Sequence, residues 1–428
     1  MRSIGLVDCN NFFVSCERAF NPKFKDRPVL VLSNNDGCVV ARSNEVRQLN
    51  IPMGVPYYQV EALVKKHNVK VFSSNYPLYI DMSRRVLRIL KNRIPKVEFY
   101  SIDEAFLDLE GYNPQQIGAQ MRSLRADILT WTGIPVSIGV AATKTLAKIG
   151  SEVAKKNPEL GGCVDFGNMT HEEQDCVLES LPVSEVWGVG RQLSKKYEKI
   201  GVDSVLDLKR MDGKTVRKMA TVAGYRTWLE LNGTRCFEVH QDHSYRESIA
   251  YTRSFGYKVT RKEEILESVA FYAASASEKL RRQGCAASSM YLFLIIKNSQ
   301  ESQHKYSTLY KKVNFQMPSF ETQDIAAYAT QAASEIFRPG YRYKKAGVCL
   351  YNIVPLDSLQ LQLWGRISSE ESVAKRINLN KYIDSINLKW GRGAVRIASE
   401  GVGHRWKMKS ESRSPSYTTE WNELLTVS

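Results

Sequence analysis

Apolar residues in the first 165 positions recur with two different spacings. Continuous apolar runs predict buried strands, and they lie at residues 4–7, 29–33, 98–102, 105–109 and 136–140. Apolar positions three and four residues apart predict amphipathic helices at 115–131 and 143–156. The order is strand, helix, insertion, strand, strand, helix, strand, helix. It predicts an α+β domain with a ferredoxin-like sheet covered by helices on one face.

The pattern changes after residue 165. Between 166 and 235 short helical segments alternate with glycines, and a polar linker follows at about 236–248. Strand, helix, strand, strand, helix and strand are then predicted, in that order, at 249–258, 261–283, 287–297, 305–315, 322–337 and 342–353. This β-α-β-β-α-β order is again ferredoxin-like. Beyond Pro355 the periodicity weakens and the tail is basic and polar. We therefore predict an α+β multidomain protein.

The charge balance indicates a polyanionic partner. The 428 residues carry a net charge of +15, and residues 243–350 alone have an excess of seven positive charges. Such a surface attracts phosphate backbones. A basic but otherwise ordinary protein remains the alternative at this point.

Cysteine usage and hydropathy indicate the cellular compartment in which the protein resides. The eight cysteines are scattered without a C-x-x-C pair, which argues against a disulfide framework and a zinc site and favours a reducing compartment. Asp8 interrupts the N-terminal apolar run, so we expect no signal peptide. No stretch approaches the roughly 18 apolar residues of a membrane helix. We expect a cytoplasmic protein that makes no membrane contact.

Three carboxylates lie at predicted strand ends. Asp8 ends the first strand, and Asp103 and Glu104 separate two others. Strand-end carboxylates can converge, and they repel one another unless cations neutralise them. Magnesium prefers such oxygen ligands and keeps positions open for phosphates. Two ions could activate a primer hydroxyl and stabilise leaving pyrophosphate, but carboxylates in surface turns would show the same spacing.

The sequence segments around these carboxylates resemble the motifs of a known family. VDCNNFFVSCE (7–17) and YSIDEAFLDL (100–109) are similar to the two metal-binding motifs of the Y-family DNA polymerases. The resemblance continues almost to the end of the chain, through SNNDGCVVARS (33–43), SSNYPLYIDMS (73–83), GVAATKTLAKIGSEVAKK (139–156), VWGVG (186–190), YTRSFG (251–256) and LKWGRGAVRIASEGVG (388–403). Within that family the chain is similar to the UmuC-type catalytic subunit of bacterial DNA polymerase V. The resemblance implies error-prone translesion synthesis in the SOS response, in the cytoplasm and associated with the nucleoid.

The resemblance also implies a domain plan. It is a palm at 1–20 and 75–165, fingers at 21–74, a helix-hairpin-helix thumb at 166–235, a DNA-binding little finger at 243–354, and a partner- and clamp-binding tail at 355–428.

Carried over residue by residue, the family motifs assign the metal site. Asp8, Asp103 and Glu104 match the catalytic ligands of two Mg²⁺ ions, with the backbone carbonyl of Cys9 beside the ion on the nucleotide side. Phe13 falls at the steric-gate position, where a ring leaves no room for a 2′-hydroxyl. From the pattern alone, Phe13 could equally be a helix core residue beside Phe12.

Basic residues are assigned to the triphosphate. Lys144, Lys148 and Lys155 share one helix face, which on pattern alone is more often solvated. Lys155 matches the family's triphosphate-contacting lysine, with Lys156 as the fallback, and Arg47 matches the arginine of the fingers. Asn44 stands where many members carry tyrosine, so a hydroxyl contact is not expected there. The residues Cys38, Val39, Val40 and Ala41 would form a loose roof over the incoming base, or an ordinary strand.

Contacts with DNA and partners are also implied. Gly188 and Gly190 match the hairpin of the thumb, where backbone N–H groups hold a phosphate, and Arg253 and Lys258 match the little finger. The peptide Gln360, Leu361, Gln362, Leu363, Trp364 resembles a sliding-clamp motif, with tryptophan in place of the usual phenylalanine. The further implied partners are a processed UmuD-like dimer and a RecA filament, besides primed, damaged DNA and deoxynucleoside triphosphates.

Two other functions remain open from the sequence. A related palm-type nucleotidyl transferase or cyclase would use the same carboxylates, but it would need no grip on duplex DNA. A non-catalytic repair scaffold is disfavoured because all three carboxylates are present.

Overall fold

The computed structural model describes residues 3–240, 246–298, 306–359, 370–391 and 393–424. The chain forms two compact units, one of Met1–His243 with Glu411–Ser428 and the other of Ser244–Ser410. All eight cysteines are free thiols. Among the helices in the described ranges, none combines the length and the apolar character needed to cross a membrane.

The first unit alternates strands and helices before it becomes purely helical. In chain order its elements are β1 (Ile4–Cys9), α1 (Phe12–Phe20), β2 (Val29–Leu32), β3 (Val39–Arg42), α2 (Asn44–Gln48), α3 (Tyr57–Lys66), β4 (Lys70–Ser73), α4 (Tyr76–Arg93), β5 (Val97–Phe99), β6 (Glu104–Asp108), α5 (Pro114–Thr132), β7 (Val136–Ala141), α6 (Lys144–Lys156), β8 (Cys163–Asp165), α7 (His171–Glu179), α8 (Arg191–Glu198), α9 (Val205–Arg210), α10 (Gly213–Met219) and α11 (Val222–Leu231).

A five-stranded sheet is the centre of this unit. Its order is β5-β6-β1-β7-β8, with β1 antiparallel to both neighbours and β8 parallel to β7. Strand β6 lies between β5 and β1, and β1 lies between β6 and β7, which is the split β-α-β arrangement of ferredoxin-like sheets. The predicted order of elements is confirmed, with α4 and β8 added.

Helices cover both faces of this sheet, so the prediction of a single covered face is wrong. Along β1, Val7 and Cys9 pack into the cluster that contains α1, α4 and α5. The alternate residues Ile4 and Leu6 pack into a second cluster, with α6 and the helical segment after residue 170. Because strand side chains alternate between faces, a continuous apolar strand such as β1 requires apolar partners on both sides.

Residues 29–73 form a separate small sheet. Its order is β3-β2-β4, with β2 antiparallel to β3 and parallel to β4. Leu30, Leu32 and Val39 pack against Val46 of α2 and Val60 of α3 in a cluster of their own. The segment predicted as an insertion therefore has an independent core.

The segment from α7 to α11 contains no named strand among its described residues, as the sequence predicts. Thr170 and Glu173 form a capping box at the start of α7, and Ser204 and Asp207 form another at α9. Each satisfies N–H groups that a short helix leaves unpaired.

The second unit has one antiparallel sheet. Its elements are β9 (Ser248–Val259), α12 (Lys262–Arg281), β10 (Cys285–Lys297), β11 (Tyr306–Ser319), α13 (Thr322–Ile336), β12 (Arg342–Pro355) and α14 (Glu370–Trp390). The predicted β-α-β-β-α-β order is confirmed. The strand order is β11-β10-β12-β9, so the fourth strand of the unit lies between its first and second. In a ferredoxin-like sheet the third strand of the β-α-β-β-α-β order lies between the first and the second, as β6 lies between β1 and β5 in the first unit. The ferredoxin-like prediction is therefore wrong for the second unit.

Helix α14 lies in a part of the tail for which the sequence predicts no element. The guanidinium of Arg281 in α12 donates to both carboxylate oxygens of Asp384 in α14, at 2.8 and 2.6 Å. It also donates to the carbonyl oxygen of Phe320 at 2.9 Å. Farther along, Trp406 is 3% exposed in the apolar core of this unit. The tail is thus partly integrated into the second unit.

Candidate active site

The ends of β1 and β6 place three carboxylates side by side. The two strands are antiparallel neighbours, and Asp8 lies opposite Glu104 in their register. The N–H of Cys9 donates to the carbonyl oxygen of Asp103 at 2.9 Å, which joins the turn before β6 to the end of β1. The three side chains therefore start from adjacent backbone positions at one end of the sheet.

Ser101 organises the turn that carries Asp103. Its hydroxyl donates to Oδ1 of Asp103 at 2.6 Å and accepts from the N–H of Glu104 at 3.0 Å. The prediction of a strand up to residue 102 is therefore wrong, since β5 ends at Phe99 and a tight turn follows. That turn directs two consecutive carboxylates into the site.

Two lysines of α6 neutralise two of the carboxylates. Nζ of Lys155 lies 2.8 Å from Oδ1 of Asp8, and Lys148 pairs with Glu104. Lys144, the third lysine predicted on this helix face, instead pairs with Glu98 at 2.6 Å. Helix α6 thus presents its cations to the carboxylate end of the sheet rather than to solvent.

Burial controls the ionisation of the Asp8–Lys155 pair. It raises the pKa of Asp8 to about 6; the charge and hydrogen bond of Lys155 oppose this rise, and Glu104 and Asp103 add to it. Burial lowers the pKa of Lys155, but the charge and hydrogen bond of Asp8 outweigh it, so this pKa lies above its ordinary value. Burial thus disfavours the charged form of Asp8, and the neighbouring ammonium of Lys155 offsets part of this cost.

Close packing sets the position of α6. Gly139 in β7 faces the helix so closely that a Cβ atom there would overlap the carbonyl oxygen of Ala147 and the N–H of Ser151. Only glycine permits this approach. The contact brings the far end of the helix, with Lys155, within reach of Asp8.

A buried carboxylate holds the start of α6. Glu230 in α11 is 0% exposed, and its Oε2 accepts from the N–H of Thr145 at 2.9 Å and from its hydroxyl at 2.8 Å. Its Oε1 accepts from the N–H groups of Cys236 and Phe237 at 3.1 and 3.0 Å. An anion at a helix N-terminus also complements the helix dipole.

An open cavity of about 220 Å³ lies beside the carboxylates. This cavity is lined by residues that the sequence assigns to the metal, the sugar, the phosphates or the roof over the base. They are Cys9, Phe13, Val40, Ala41, Arg47, Asp103 and Lys155. Of the other two predicted roof residues, Val39 is fully buried in the small sheet, and Cys38 is not part of the lining.

Two arginines face this cavity. The guanidinium of Arg42 donates to the carbonyl oxygen of Ile51, and burial and the charge of Arg47 lower the pKa of Arg42. Within the described ranges, the side chain of Arg47 has no ion-pair or hydrogen-bond partner. Two neighbouring cations, one of them unpaired, indicate a place for an anion.

The ring of Phe13 forms one wall of the cavity. It stacks on the ring of Tyr79 in α4, with centroids 4.4 Å apart and planes inclined by 12°. Phe12, in contrast, is 4% exposed in the core beneath. Both phenylalanines line the cavity, but Phe12 belongs to the buried core, whereas Phe13 is only partly buried against it.

The donor set fits magnesium in chemistry, since it consists of carboxylate oxygens at adjacent strand ends. No group of three or more His, Cys, Asp and Glu side chains converges as a metal site among the residues that the structure covers. In this structure Lys155 contacts Asp8, Lys148 contacts Glu104 and Ser101 contacts Asp103.

The other predicted residues lie elsewhere. Gly188 and Gly190 are exposed just before α8, and Gly188 has a positive φ of 85°. Arg253 lies on β9 with its guanidinium over the ring of Tyr251 at 4.6 Å, and Lys258 is exposed on the same strand. The clamp-like peptide 360–364 lies outside the described residues. Lys156, the fallback for the phosphates, pairs with Glu185 at 2.9 Å.

Sequence reasoning missed several residues of the site. Arg42, Asn11 and Met53 also line the cavity, and Nδ2 of Asn11 donates to Oδ1 of Asn44 at 3.1 Å. Asn11 has the left-handed backbone angles φ 46° and ψ 43°, which asparagine adopts more readily than most residues. The pair Asn10-Asn11 before an apolar helix was the available signal.

Comparison with known proteins identifies the family. Residues 7–152 match the impB/mucB/samB family, residues 246–363 match its C-terminal domain, and residues 378–427 match a domain of unknown function. Protein UmuC of Salmonella typhimurium is 40% identical over 427 residues and 99% of both chains. Protein ImpB of Salmonella typhimurium is 38% identical over 98% of both. DNA polymerase IV of Corynebacterium diphtheriae is 35% identical over 52% of this chain and 49% of its own.

Solved structures agree on the fold. A Y-family DNA polymerase chimera matches with a TM-score of 0.67 and 22% identity, over 82% of this chain and 99% of its own. The DinB protein of Sulfolobus solfataricus matches with a TM-score of 0.53 and 21% identity over the same shares. The chain therefore belongs to the impB/mucB/samB family, with UmuC and ImpB among its full-length relatives, and it has the fold of a solved Y-family DNA polymerase.

Proposed function

We propose that this chain is an error-prone, DNA-directed DNA polymerase that extends primers past damaged template bases, with the cavity beside Asp103 as its nucleotide site. The observation that carries the proposal is the convergence of Phe13, Arg47 and Lys155 on that cavity. These residues are far apart in the sequence, and each suits a different part of a deoxynucleoside triphosphate. Membership of the family supports the same activity.

Each side chain has a distinct part in this proposal. Asp8, Asp103, Glu104 and the carbonyl of Cys9 would hold two Mg²⁺ ions. When bound, these ions would activate the primer hydroxyl and stabilise the leaving pyrophosphate. Lys155, whose Nζ lies 2.8 Å from Oδ1 of Asp8, would bind the triphosphate.

Arg47, which already lines the cavity, would bind the phosphates from the side of the small sheet. The guanidinium of Arg42 would add positive charge beside it.

The chain's low fidelity would follow from its roof. Val40, Ala41 and Met53 line the cavity, and they offer neither a large flat surface nor hydrogen bonds to a base. A loosely packed roof tolerates distorted and damaged base pairs, and it discriminates weakly between nucleotides.

The domain plan belongs to the same proposal. We assign the palm to 1–20 and 75–165, the fingers to 21–74, the thumb to 166–235, the little finger to 243–354 and the tail to 355–428. The thumb would hold a DNA phosphate at the exposed Gly188–Gly190 turn. Arg253 and Lys258 of β9 would contact the backbone through charge rather than sequence, which suits work at any site.

Partners complete the proposal. A processed UmuD-like dimer and a RecA filament would activate the chain, and the peptide 360–364 would bind the sliding clamp. The protein would act in the cytoplasm at the nucleoid. Deletion of 360–364 should abolish stimulation by the clamp and spare basal extension, whereas equal loss of both would contradict the assignment.

The test of the polymerase is magnesium-dependent primer extension on an intact template and on one with an abasic site. The wild type is compared with Asp103→Asn, both alone and with the UmuD-like dimer and RecA filament. Asp127→Asn is the matched control, since Asp127 lies on α5 in an ion pair with Arg93. Extension should vanish only in Asp103→Asn. Tight DNA binding without extension, with every partner present, would instead favour a non-catalytic scaffold.

A second test concerns the sugar. Phe13→Ala should admit ribonucleotides, because the stacked ring would no longer exclude a 2′-hydroxyl. Phe99→Ala is a suitable control, since Phe99 is 48% exposed at the end of β5. Unchanged sugar discrimination in Phe13→Ala would contradict the assignment.

A further inference from the structure

Residues 411–417, here named the C-terminal strap, run beside the end of β4 in the first unit. The N–H of Ser73 donates to the carbonyl oxygen of Ser412 at 3.0 Å, and the N–H of Ser412 donates to Oγ of Ser73 at 3.0 Å. The strap lies within the segment that matches a domain of unknown function.

Buried polar contacts anchor the strap. Asn75 is 0% exposed; its Nδ2 donates to the hydroxyl and carbonyl oxygens of Ser414 at 2.9 and 3.3 Å, and its Oδ1 accepts from Arg413 at 3.2 Å. The ring of Tyr417 stacks on Phe20 of α1, with centroids 5.0 Å apart. Such a set of satisfied contacts fixes one position for the strap.

The strap continues inward through a buried carboxylate. The hydroxyl of Ser414 donates to Oε1 of Glu17 at 3.1 Å, and the hydroxyl of Tyr79 donates to the same oxygen at 2.7 Å. Glu17 is 1% exposed and Tyr79 is 0% exposed. Oε2 of Glu17 has no hydrogen-bond partner within the described part of the chain. Both contacts therefore depend on one oxygen.

Tyr79 is also the residue on which Phe13 stacks, at 4.4 Å. Tyr76 contacts the same Phe13 ring edge-on at 5.8 Å. Phe13 in turn lines the cavity. A continuous series of contacts thus runs from Ser414 through Glu17 and Tyr79 to the wall of the proposed nucleotide site.

We propose that the C-terminal strap sets the sugar specificity of this polymerase, with Ser414 as a positioning residue that acts on Phe13 through Glu17 and Tyr79. The inference rests on the proposed role of Phe13 against the sugar. A stacked ring can slide or tilt at little cost unless its partner is fixed. The hydrogen bond to Glu17 fixes Tyr79, and the hydrogen bond from Ser414 fixes Glu17.

Loss of the Ser414 hydroxyl leaves a buried carboxylate with one donor fewer. Glu17 must then shift toward another donor or toward water, and Tyr79 and Phe13 move with it. A displacement of the gate ring by a fraction of an ångström enlarges the space at C2′, so a ribonucleotide enters more easily while a deoxynucleotide still fits.

The experiment compares Ser414→Ala with Ser412→Ala in the full chain. Ser412 is exposed and contributes only backbone atoms to the contacts above, so it is a matched control. The readout is the ratio of kcat/KM for dATP and ATP in single-nucleotide insertion opposite thymine. A second readout is the ratio of the Kd values for dATP and ATP, measured by calorimetry, and this measurement requires no partner protein. A purely structural defect lowers the fraction of active protein for both nucleotides and cancels in either ratio.

Ser414→Ala should lower the discrimination ratio by about five- to tenfold, the net effect of one ordinary hydrogen bond. Tyr79→Phe keeps the ring and loses the hydroxyl, so it should lower the ratio equally. Ser414→Thr, which keeps the hydroxyl, and Ser412→Ala should match the wild type.

Two outcomes would overturn the proposal, and they are distinguishable. If Phe13→Ala loses sugar discrimination while Ser414→Ala and Tyr79→Phe keep it, the strap has no part in specificity and the proposed function stands. If Phe13→Ala keeps its discrimination, Phe13 is not the gate, and the role of the strap fails with it.

Discussion

Glu230→Ala should destabilise the first unit strongly and release the start of α6. The carboxylate is fully buried and accepts four hydrogen bonds, two from Thr145 and two from the N–H groups of Cys236 and Phe237. Each buried donor left unsatisfied costs roughly 1–3 kcal/mol. Residues 236 and 237 are only partly buried, so water can replace their contacts in part. We therefore expect a loss of about 3–5 kcal/mol in the free energy of unfolding.

Urea denaturation followed by circular dichroism measures this loss. Hydrogen exchange of peptides that cover α6 assigns it to the first unit, because Thr145 lies in the first turn of that helix. Primer extension should fall as well, since Lys148 and Lys155 are carried by the same helix.

The matched control is Glu173→Ala. Glu173 also caps a helix, accepting from the N–H of Thr170 at 2.8 Å, but it does so at an exposed position. Its removal should cost no more than about 1 kcal/mol. A Glu230→Ala variant that loses no more stability than this control would refute the reasoning from burial.

Three further perturbations have definite outcomes. Gly139→Ala should lower both the melting temperature and the rate of primer extension, because its Cβ would displace α6 and move Lys155 from Asp8. Glu17 has a pKa raised to about 7 by burial, against the opposing effects of Tyr79, Ser414, Arg413 and Lys70. Because its folded pKa lies above its unfolded value, the free energy of unfolding in urea titrations should fall by up to about 3 kcal/mol as the pH rises from about 4.5 to 7. Glu17→Gln should remove this pH-dependent component. Arg281→Ala should destabilise the second unit by about 3–5 kcal/mol in urea denaturation, since it leaves Asp384 without its buried partner.

Each of these has a control in the same chain. A Cβ at Gly118 in α5 would meet only the end of Arg122 at 3.5 Å, so Gly118→Ala should leave stability unchanged or slightly higher. Arg282 is 62% exposed in its pair with Glu278, and Arg282→Ala should cost less than about 1 kcal/mol. Equal effects of Gly139→Ala and Gly118→Ala, or of Arg281→Ala and Arg282→Ala, would contradict the packing and burial arguments. A pH profile unchanged in Glu17→Gln would show that another group titrates.

Local patterns were sufficient for the order of elements and for the chemical character of the site. Apolar runs and helical spacing predicted most strands and helices of the two main sheets, because a side chain's burial repeats with the local period, but they did not predict α4, β8 or α14. The motifs around Asp8, Asp103, Phe13, Arg47 and Lys155 predicted residues that the structure gathers at one cavity or beside it.

Strand order could not be deduced in the same way. The two units share the order β-α-β-β-α-β, yet β6 separates β1 from β5 in one and β12 separates β9 from β10 in the other. The element order is compatible with both sheets. Which strand edges pair depends on the packing of whole helices against the sheet.

Long-range contacts account for the remaining differences. Glu230 stands in the apolar helix VAGYRTWLEL, where a lone carboxylate was a visible signal, but its partner Thr145 is 85 residues away. The strap at Ser414 reaches Glu17, 397 residues earlier in the chain. Local sequence patterns specify which segments fold and which residue types can bind metal, sugar and phosphate. Which of these residues meet depends on the tertiary structure, because burial and hydrogen bonding between distant segments depend on how the complete chain packs.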